Sequence, residues 1–181
     1  MVKLTKIYTK TGDEGLTSVA NNLRVPKISP LIEAIGVVDE ANSAIGMMGI
    51  HNDIVDRIQN DLFDLEADLA GSDTIKISKE RIEWLESVID DMNEYLEPLN
   101  SFVLPTGAVH NARTIVRRAE RWTWMAIEIH NHNDDLNISQ LIPQYLNRLS
   151  DLLFIMARYY NKGGEKLWQP LGKENNKGEK K

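Results

Sequence analysis

Cysteine is absent from this sequence of 181 residues. Disulfide bridges, thiolate metal sites and cysteine nucleophiles are therefore excluded. The sequence also has no uninterrupted apolar run close to the roughly 20 residues of a transmembrane helix. Its first residues, 1–6, show no apolar core of a secretory signal. These absences predict a cytoplasmic protein with no membrane-spanning segment.

Positive charge is in the minority. Lys and Arg number 21, Asp and Glu number 27, and the formal net charge is −6. A chain with this balance repels polyanions, which argues against general nucleic-acid binding. The length and the hydrophobic fraction of 42% are sufficient for one domain with a substantial core.

Histidine is also scarce, at four residues: His51, His110, His130 and His132. None belongs to a His-Glu-x-x-His pattern. His130 and His132 are two residues apart, which places them on different sides of a helix. We therefore expect surface or loop histidines, and we predict no metal site built by the protein itself.

Apolar residues recur at helical spacing in five segments, and no run of residues is typical of strands. The first helix should begin at Ser29-Pro30, and the next three should cover about 52–70, 78–96 (capped by Ser78) and 106–131. The fifth should run from 137–139 to 162. The pattern predicts an all-α, five-helix up-and-down bundle at 30–165. An irregular arm at 1–29 would precede it, and a polar, disordered tail at 166–181 would follow.

The fourth predicted helix carries a cationic stripe. Arg113, Arg117 and Arg121 are four residues apart, which places three guanidinium groups along one side of a helix. Like charges at this spacing repel by roughly 0.2–0.5 kcal/mol per pair. The stripe therefore predicts a face that meets anions. Those anions are either a ligand or the acidic outer faces of helices two and three.

A loop with two glycines precedes the first helix. Gly12 and Gly15 allow turns whose backbone N–H groups can form an anion-binding nest. From spacing alone, a plain surface hairpin built on Gly12-Asp13 is the favoured interpretation. The side chains that would add donors or positive charge nearby are Lys10, Thr17, Ser18, Arg24 and Lys27.

Two further residues allow more than one interpretation. Asp39 belongs to a polar patch of helix one, where it would either face solvent or be held against an arginine. Phe102 belongs to a short apolar loop before helix four, where it would either pack into the bundle or contact a ligand. The residues by themselves favour packing for Phe102.

Four motifs together resemble a known family. YTKTGDEG at 8–15, EAIGVVDEANS at 33–43, RRAER at 117–121 and YLNRLSD at 145–151 are similar to motifs of ATP:cob(I)alamin adenosyltransferases, the trimeric propanediol-utilisation type. The resemblance spans residues 7–160, and helices two and three match only in pattern. It implies a five-helix bundle that forms a homotrimer with active sites at subunit interfaces. It also implies transfer of the 5′-deoxyadenosyl group of ATP to the cobalt of cob(I)alamin, with Mg²⁺ and with release of tripolyphosphate. Cob(I)alamin is itself a strong nucleophile, so the absence of a protein nucleophile agrees with this chemistry.

The resemblance also implies roles for individual residues. Asp39 would pair with Arg113 of a neighbouring subunit, and Phe102 would lie under the corrin and help to exclude the lower axial ligand. With Arg117, these residues form the implied catalytic set. The residues implied to hold the triphosphate are Thr9, Lys10, Thr11, Gly12, Thr17, Ser18 and Lys27. Those implied to line the same nucleotide are Arg117, Arg118, Glu120, Arg121 and, from helix five, Asn147. A cobalamin reductase and an adenosylcobalamin-dependent enzyme are the implied protein partners.

The chain departs from the family pattern just before helix four. The segment FVLPTG at 102–107 runs almost directly into the arginine helix and is shorter than in familiar members, and Thr106 replaces a glycine. Two other functions stay open on the residues themselves. One is a non-catalytic nucleotide- or corrinoid-binding bundle for delivery or regulation. The other is a structural assembly whose arginines meet the acidic helices.

Overall fold

Five α-helices and one short two-stranded sheet build the part of the chain that the structure describes. The structure is a computed structural model, and it describes residues 8–20, 23–132, 136–161 and 164–170. In chain order the elements are β1 (Leu16–Ser18), β2 (Arg24–Pro26), α1 (Pro30–Gly46), α2 (Asp53–Leu69), α3 (Lys79–Asn93), α4 (Gly107–His132) and α5 (Leu141–Asn161). The prediction of an all-α fold with five helices is confirmed.

The first two helices begin where polar residues cap them. The Ser29 hydroxyl accepts a hydrogen bond from the Ile32 backbone N–H at 3.4 Å, and Asn52 Oδ1 accepts one from Val55 at 2.9 Å. These bonds satisfy backbone donors that have no partner inside the helix. Pro30 suits the first position of α1 because it has no N–H to leave unpaired.

The ends of α3 and α5 differ from the prediction. α3 ends at Asn93 rather than near 96, and the Ser78 side chain makes no capping hydrogen bond. α5 begins at Leu141 rather than at 137–139. The reason is Asn131, whose side chain donates to the Ile138 carbonyl at 3.1 Å and accepts from the Ile138 N–H at 2.9 Å. Ile138 is thereby held outside the helix. The predicted turn at 133–135 and the predicted helix end at 162 lie outside the described residues.

α4 is the central helix, because it packs against both α1 and α5, while α2 packs on α1 and α3 on α5. The side of α4 that enters the core includes Ala112, Val116 and Ala119, each 0% exposed. Burying this side leaves the arginine stripe on the outer surface of the helix. None of the described helices is long and apolar enough to cross a lipid bilayer.

A buried polar network connects α2, α3 and α5. Tyr145 of α5 donates to Asp61 Oδ2 of α2 at 3.2 Å. Arg81 of α3 donates to Asp61 Oδ1 at 2.8 Å and to Asp64 Oδ2 at 2.7 Å. Burial raises the pKa of Asp61, while Arg81 and the Tyr145 hydroxyl act in the opposite direction. Because three helices contribute to one network, it fixes their relative positions.

The N-terminal arm contains a β-hairpin, which the prediction of an irregular arm did not include. β1 and β2 are antiparallel, with Thr17 opposite Val25. The connection between the strands is closed by a hydrogen bond from the Val19 N–H to the Leu23 carbonyl at 2.9 Å. Val25 is the buried residue of β2, and Val19, which directly follows β1, packs against the core of the bundle.

The Gly12 turn precedes this hairpin and is separate from it. The Gly15 N–H donates to the Gly12 carbonyl at 3.2 Å, which closes a turn before β1 begins. A hairpin built on Gly12-Asp13 is therefore the wrong interpretation of this loop. The arm is fixed to the bundle at the end of α2, where the Ala20 N–H donates to the Ala70 carbonyl at 2.8 Å.

Residues 164–170 pair with the loop before α4, whereas a disordered tail was expected from 166 onwards. The Leu104 N–H donates to the Lys166 carbonyl at 2.8 Å, and the Trp168 N–H donates to the Phe102 carbonyl at 2.7 Å. These bonds make the start of the expected tail part of the fold. The remainder of that tail, 171–181, lies outside the described residues.

Candidate functional site

The cationic stripe of α4 lies on the outer surface. Arg117 and Arg121 are exposed, and Arg113 is half-buried. Arg121 donates along the helix to the Arg117 carbonyl at 3.2 Å. Burial and the Arg117 charge lower the pKa of Arg113. An anion on this surface would therefore relieve repulsion between like charges that lie within reach of one another.

The acids of α2 and α3 do not neutralise this stripe. Across the described ranges, no ion pair joins Arg113, Arg117 or Arg121 to a carboxylate. The acids of those helices instead pair with Lys76, Lys79, Arg81 and Arg148. Within the described chain, the stripe is therefore not a structural partner of helices two and three.

Two adjacent acids of α1 face different neighbours. Glu40 forms an ion pair with Arg118 of α4. Asp39 lies near Glu66 of α2, whose pKa is raised to about 7 by burial and by the Asp39 charge. Consecutive residues of a helix are about 100° apart around its axis, which separates the two directions. Within the described chain Asp39 makes no ion pair with Arg113, so their predicted pairing requires a second chain.

A buried histidine contacts the first arginine of the stripe. Arg113 Nε donates to His110 Nδ1 at 3.3 Å. The ring of Phe154 packs edge-on against the imidazole, with centroids 6.0 Å apart. His110 was expected at a surface or in a loop, but it is 6% exposed. It therefore belongs to the immediate environment of the stripe.

The arm gathers hydroxyl groups and cations around the Gly12 turn. The hydroxyls of Thr9 and Thr11 are 2.9 Å apart. Arg24 donates to the Thr11 carbonyl at 3.0 Å and to the Ser18 hydroxyl at 3.4 Å. The guanidinium of Arg24 thus connects β2 to the turn. Of the paired threonine hydroxyls, the one that does not donate to the other remains available as a donor to a ligand.

Gly12 allows a lysine to approach this turn. A Cβ at Gly12 would lie 3.0 Å from Lys27 Nζ and 3.2 Å from the Leu16 carbonyl oxygen, so a larger residue would displace the lysine. Lys10 has a φ of 60°, a conformation uncommon for residues other than glycine. The structure therefore brings the predicted triphosphate residues into one compact unit. They are Thr9, Lys10, Thr11, Gly12, Thr17, Ser18 and Lys27.

The arm and the stripe lie at different levels of the bundle. The side-chain hydrogen bonds that Thr9, Thr11 and Arg24 make to other described residues are within the arm. The arm leads into α1 at Pro30, whereas Glu40, the partner of Arg118, lies further along α1. At a rise of 1.5 Å per residue, Pro30 and Glu40 are about 15 Å apart along the axis of α1, which separates the end of the arm from the level of Arg118.

Asn147 and Glu120 are the remaining predicted nucleotide residues. Glu120 is half-buried on α4 beside the stripe. Asn147 is exposed and lines a groove of about 320 Å³ between α3 and α5, together with Lys79 and Glu83. Within one chain the structure therefore does not bring Asn147 to the stripe.

An open aromatic groove lies beside the loop before α4. Phe102 is 77% exposed, so packing of this residue into the bundle is the wrong interpretation. Its ring centroid is 6.1 Å from that of Trp168. The groove has a volume of about 610 Å³ and is lined by Leu99, Asn100, Ser101, Phe102, Phe154, Trp168 and Pro170. It offers an apolar surface to a flat ligand.

Three residues near these sites were missed as site residues. Trp168 was placed in the polar tail, although the apolar pair Leu167-Trp168 interrupts that polarity. Arg24 was noted only as a charge, although it alternates with Val25 in a strand-like pattern. His110 precedes Arg113 by three residues, the spacing that brings side chains together on a helix.

The sequence matches proteins of one family. The family model described as cobalamin adenosyltransferase matches residues 7–160. The corrinoid adenosyltransferase of Mycobacterium leprae (strain TN) is 42% identical, over 94% of this chain and 99% of that protein. The corrinoid adenosyltransferase of Bacillus subtilis (strain 168) is 36% identical, over 86% of each.

Solved structures share the fold. A variant PduO-type ATP:corrinoid adenosyltransferase from Lactobacillus reuteri, complexed with cobalamin and ATP, is 34% identical and aligns with a TM-score of 0.78. The alignment covers 91% of this chain and 100% of that one. A second variant from L. reuteri, complexed with ATP, aligns with a TM-score of 0.77 over 90% and 100% of the two chains. Both sequence and fold agree, and the chain belongs to the cobalamin adenosyltransferase family.

Proposed function

We propose that this chain transfers the 5′-deoxyadenosyl group of ATP to the cobalt of cob(I)alamin, forming adenosylcobalamin and tripolyphosphate. The observation that carries the proposal is the exposed stripe of Arg117 and Arg121, which meets no carboxylate in the described chain. Family membership supplies the substrate class and favours catalysis over a delivery or regulatory role.

The reaction needs little covalent chemistry from the protein. The electron pair of cob(I)alamin attacks C5′, the C5′–O bond breaks, and the triphosphate leaves with that bond's electrons. The protein must align the reacting atoms and stabilise the negative charge of the leaving group. Arg117 and Arg121 on α4, with Lys10 and Lys27 in the arm, would supply the positive charge.

Mg²⁺ would enter the site with ATP. Among the described residues, no group of three His, Asp or Glu side chains is arranged to hold a metal ion. Mg²⁺ commonly binds through substrate phosphates, one or two carboxylates and several waters, so it does not require such a cluster. Glu120, beside the stripe, is the predicted nucleotide-lining residue that carries a carboxylate.

We further propose a homotrimer with active sites between subunits. Asp39 lies toward Glu66, away from the Arg118 side of α1, so a second chain would have to bring Arg113 to it. The outer surface of α4 also exposes Trp124 and Met125, which a neighbouring subunit would cover. An arm from one subunit and a stripe from the next would then form one nucleotide site.

Phe102 and Trp168 would contact the corrin. The exposed Phe102 ring lies in a groove of about 610 Å³ whose lining is largely apolar, which suits one face of a flat ligand. A phenyl ring at the cobalt would exclude an axial ligand and ease reduction of the cob(II) state. The reaction also requires a supply of electrons and a consumer of adenosylcobalamin. We therefore propose a cobalamin reductase and an adenosylcobalamin-dependent enzyme as partners, in the cytoplasm, where ATP is supplied.

The direct test is incubation with ATP, Mg²⁺ and chemically reduced cobalamin, followed by the spectrum of adenosylcobalamin. We expect Arg117→Ala and Lys10→Ala to abolish turnover while thermal unfolding stays as in the wild type. Arg57→Ala is the matched control, because Arg57 is also a surface arginine but stacks on Trp84 at 3.9 Å, away from the stripe. Full activity of both site variants would overturn the proposal.

Mixed trimers test whether the arm and the stripe come from different subunits. Lys10→Ala and Arg117→Ala chains would be inactive separately. Unfolded together and reassembled at equal amounts, they should recover about a quarter of the wild-type rate, because random mixing pairs an intact arm with an intact stripe at one interface in about four. Recovery near zero would show that both parts act within one chain.

Asp39→Ala tests the interface itself. We expect this variant to weaken the trimer or its activity and to leave the helical content of the monomer unchanged. Analytical ultracentrifugation and the adenosylcobalamin assay on the same sample measure both properties. A wild-type oligomer with a wild-type rate would contradict the proposed pairing with Arg113.

A further inference from the structure

His110 lies near the beginning of α4, about one turn before Arg113, and its ring is held from two sides. Its exposed fraction is 6%. Arg113 Nε donates to Nδ1 at 3.3 Å. Phe154 of α5 packs against the ring with an interplanar angle of 67°. Contacts on both sides restrict rotation of the imidazole, so the direction of Nδ1 is set by the fold.

The hydrogen bond from Arg113 defines the protonation state of His110. A guanidinium has only donors, so Nδ1 must be the unprotonated nitrogen, and the neutral ring carries its proton on Nε2. A proton on Nδ1 would place two donors and two positive charges against each other. Burial and the Arg113 charge both lower the pKa of His110, in agreement with a neutral ring.

The other groups around His110 offer no negative charge. The ring lines a cavity of about 240 Å³ whose α5 wall is formed by Ala157, Tyr160 and Asn161. The loop before α4 adds the side chains of Val103 and Thr106, and α4 itself adds Val109; all three are uncharged. Arg113 of α4 is the charged group that acts on His110 in the described chain, and Arg117, a turn further, acts on Arg113. No carboxylate of this wall would stabilise an imidazolium.

The contact with His110 leaves the two terminal nitrogens of Arg113 available. His110 takes the Nε donor, whereas Nη1 and Nη2 make no ion pair with an acid in the chain as described. A guanidinium held at Nε still offers both terminal nitrogens as a fork that fits a carboxylate.

We infer that His110 is a positioning residue, whose neutral imidazole holds Arg113 so that its terminal nitrogens meet a carboxylate of a neighbouring subunit. The inference rests on the proposed function for the identity of that carboxylate, which is Asp39. In this role His110 would act through Arg113 and not on a substrate. Its effect is to fix one arginine of the stripe in the orientation that the interface requires.

Two substitutions in the full-length trimer separate positioning from packing. His110→Asn keeps an acceptor oxygen close to the Nδ1 position and has no ionisable group. His110→Leu fills a similar volume and removes the acceptor. Turnover, with kcat and KM for ATP and cobalamin, is measured from pH 5 to pH 8. Thermal unfolding and sedimentation are measured on the same samples.

We expect His110→Leu to lower kcat by roughly tenfold, the effect of losing one hydrogen bond to a charged group. His110→Asn should retain most of the rate. The wild type should lose activity below the ordinary histidine pKa, because a proton on Nδ1 breaks the contact, and this decline should be absent in His110→Asn. Wild-type kcat and pH profile in His110→Leu would overturn the inference. So would a low-pH decline that is equal in His110→Asn and wild type.

A spectroscopic measurement is independent of turnover. In protein labelled with ¹⁵N-histidine, Nδ1 of His110 should show the chemical shift of an unprotonated nitrogen at pH 7. Arg113→Met should raise the pKa of His110, because both the positive charge and the Nε donor are lost. If the wild type makes no adenosylcobalamin, the proposed function fails and this measurement still tests the contact. A proton on Nδ1 at pH 7 would refute it.

Discussion

Glu66 of α2, which lies near Asp39 of α1, allows a quantitative prediction. Its Oε1 atom is buried and has no hydrogen-bond partner among the described residues. Burial, followed by the charge of Asp39, raises its pKa from 4.5 to about 7. An ionised carboxylate in this position lacks a donor, so the folded chain favours the protonated form. Glu66→Gln should therefore raise the free energy of unfolding at high pH, where the wild-type carboxylate is ionised.

The magnitude follows from the two pKa values. A pKa of about 7 against 4.5 corresponds to at most about 3 kcal/mol of lost stability once Glu66 is fully ionised. Because the residue is partly accessible to water, we expect about 1–3 kcal/mol. Between pH 4.5 and pH 7 the folded chain keeps the proton on Glu66, whereas the unfolded chain has lost it. The free energy of unfolding therefore falls as pH rises from 4.5 to 7. The gain in the free energy of unfolding from Glu66→Gln should be complete at pH 8 and nearly absent at pH 4.5.

Urea unfolding at fixed protein concentration measures this difference, since assembly makes stability depend on concentration. Asp91→Asn is the control, because it removes one exposed carboxylate from α3. Equal stability of Glu66→Gln and wild type at both pH values would refute the reasoning. A less stable Glu66→Gln at pH 8 would also refute it, because it would show that a cation in the assembly stabilises the Glu66 carboxylate.

Three further changes have expected outcomes. Tyr145→Phe should lower the free energy of unfolding by about 1.5–3 kcal/mol in urea titrations at pH 7, because Asp61 loses a buried donor. Phe102→Ala should change the unfolding free energy by less than about 0.5 kcal/mol, since the ring is exposed. The same change should lower the rate of adenosylcobalamin formation. Gly12→Ala should raise KM for ATP by displacing Lys27, and a KM equal to that of the wild type would contradict the proposed role of the turn.

Local patterns were sufficient to predict the helices. Ser29-Pro30 predicted the start of α1, because a hydroxyl cap and a proline without an N–H both suit a helix terminus. The boundary of α5 could not be predicted in this way. It depends on Asn131, whose side chain bonds both backbone groups of Ile138 from seven residues away. Side-chain bonds across a connection leave no periodic pattern in the sequence.

The sequence by itself determined the five helices, the stripe on one side of α4 and the family. These depend on the spacing of residues along the chain, and a helix converts such spacing directly into a shared face. Only the tertiary structure decided that Phe102 is exposed, that Trp168 joins it and that His110 holds Arg113. Such contacts depend on which segments the bundle brings together, and their energies are realised only after the helices have packed.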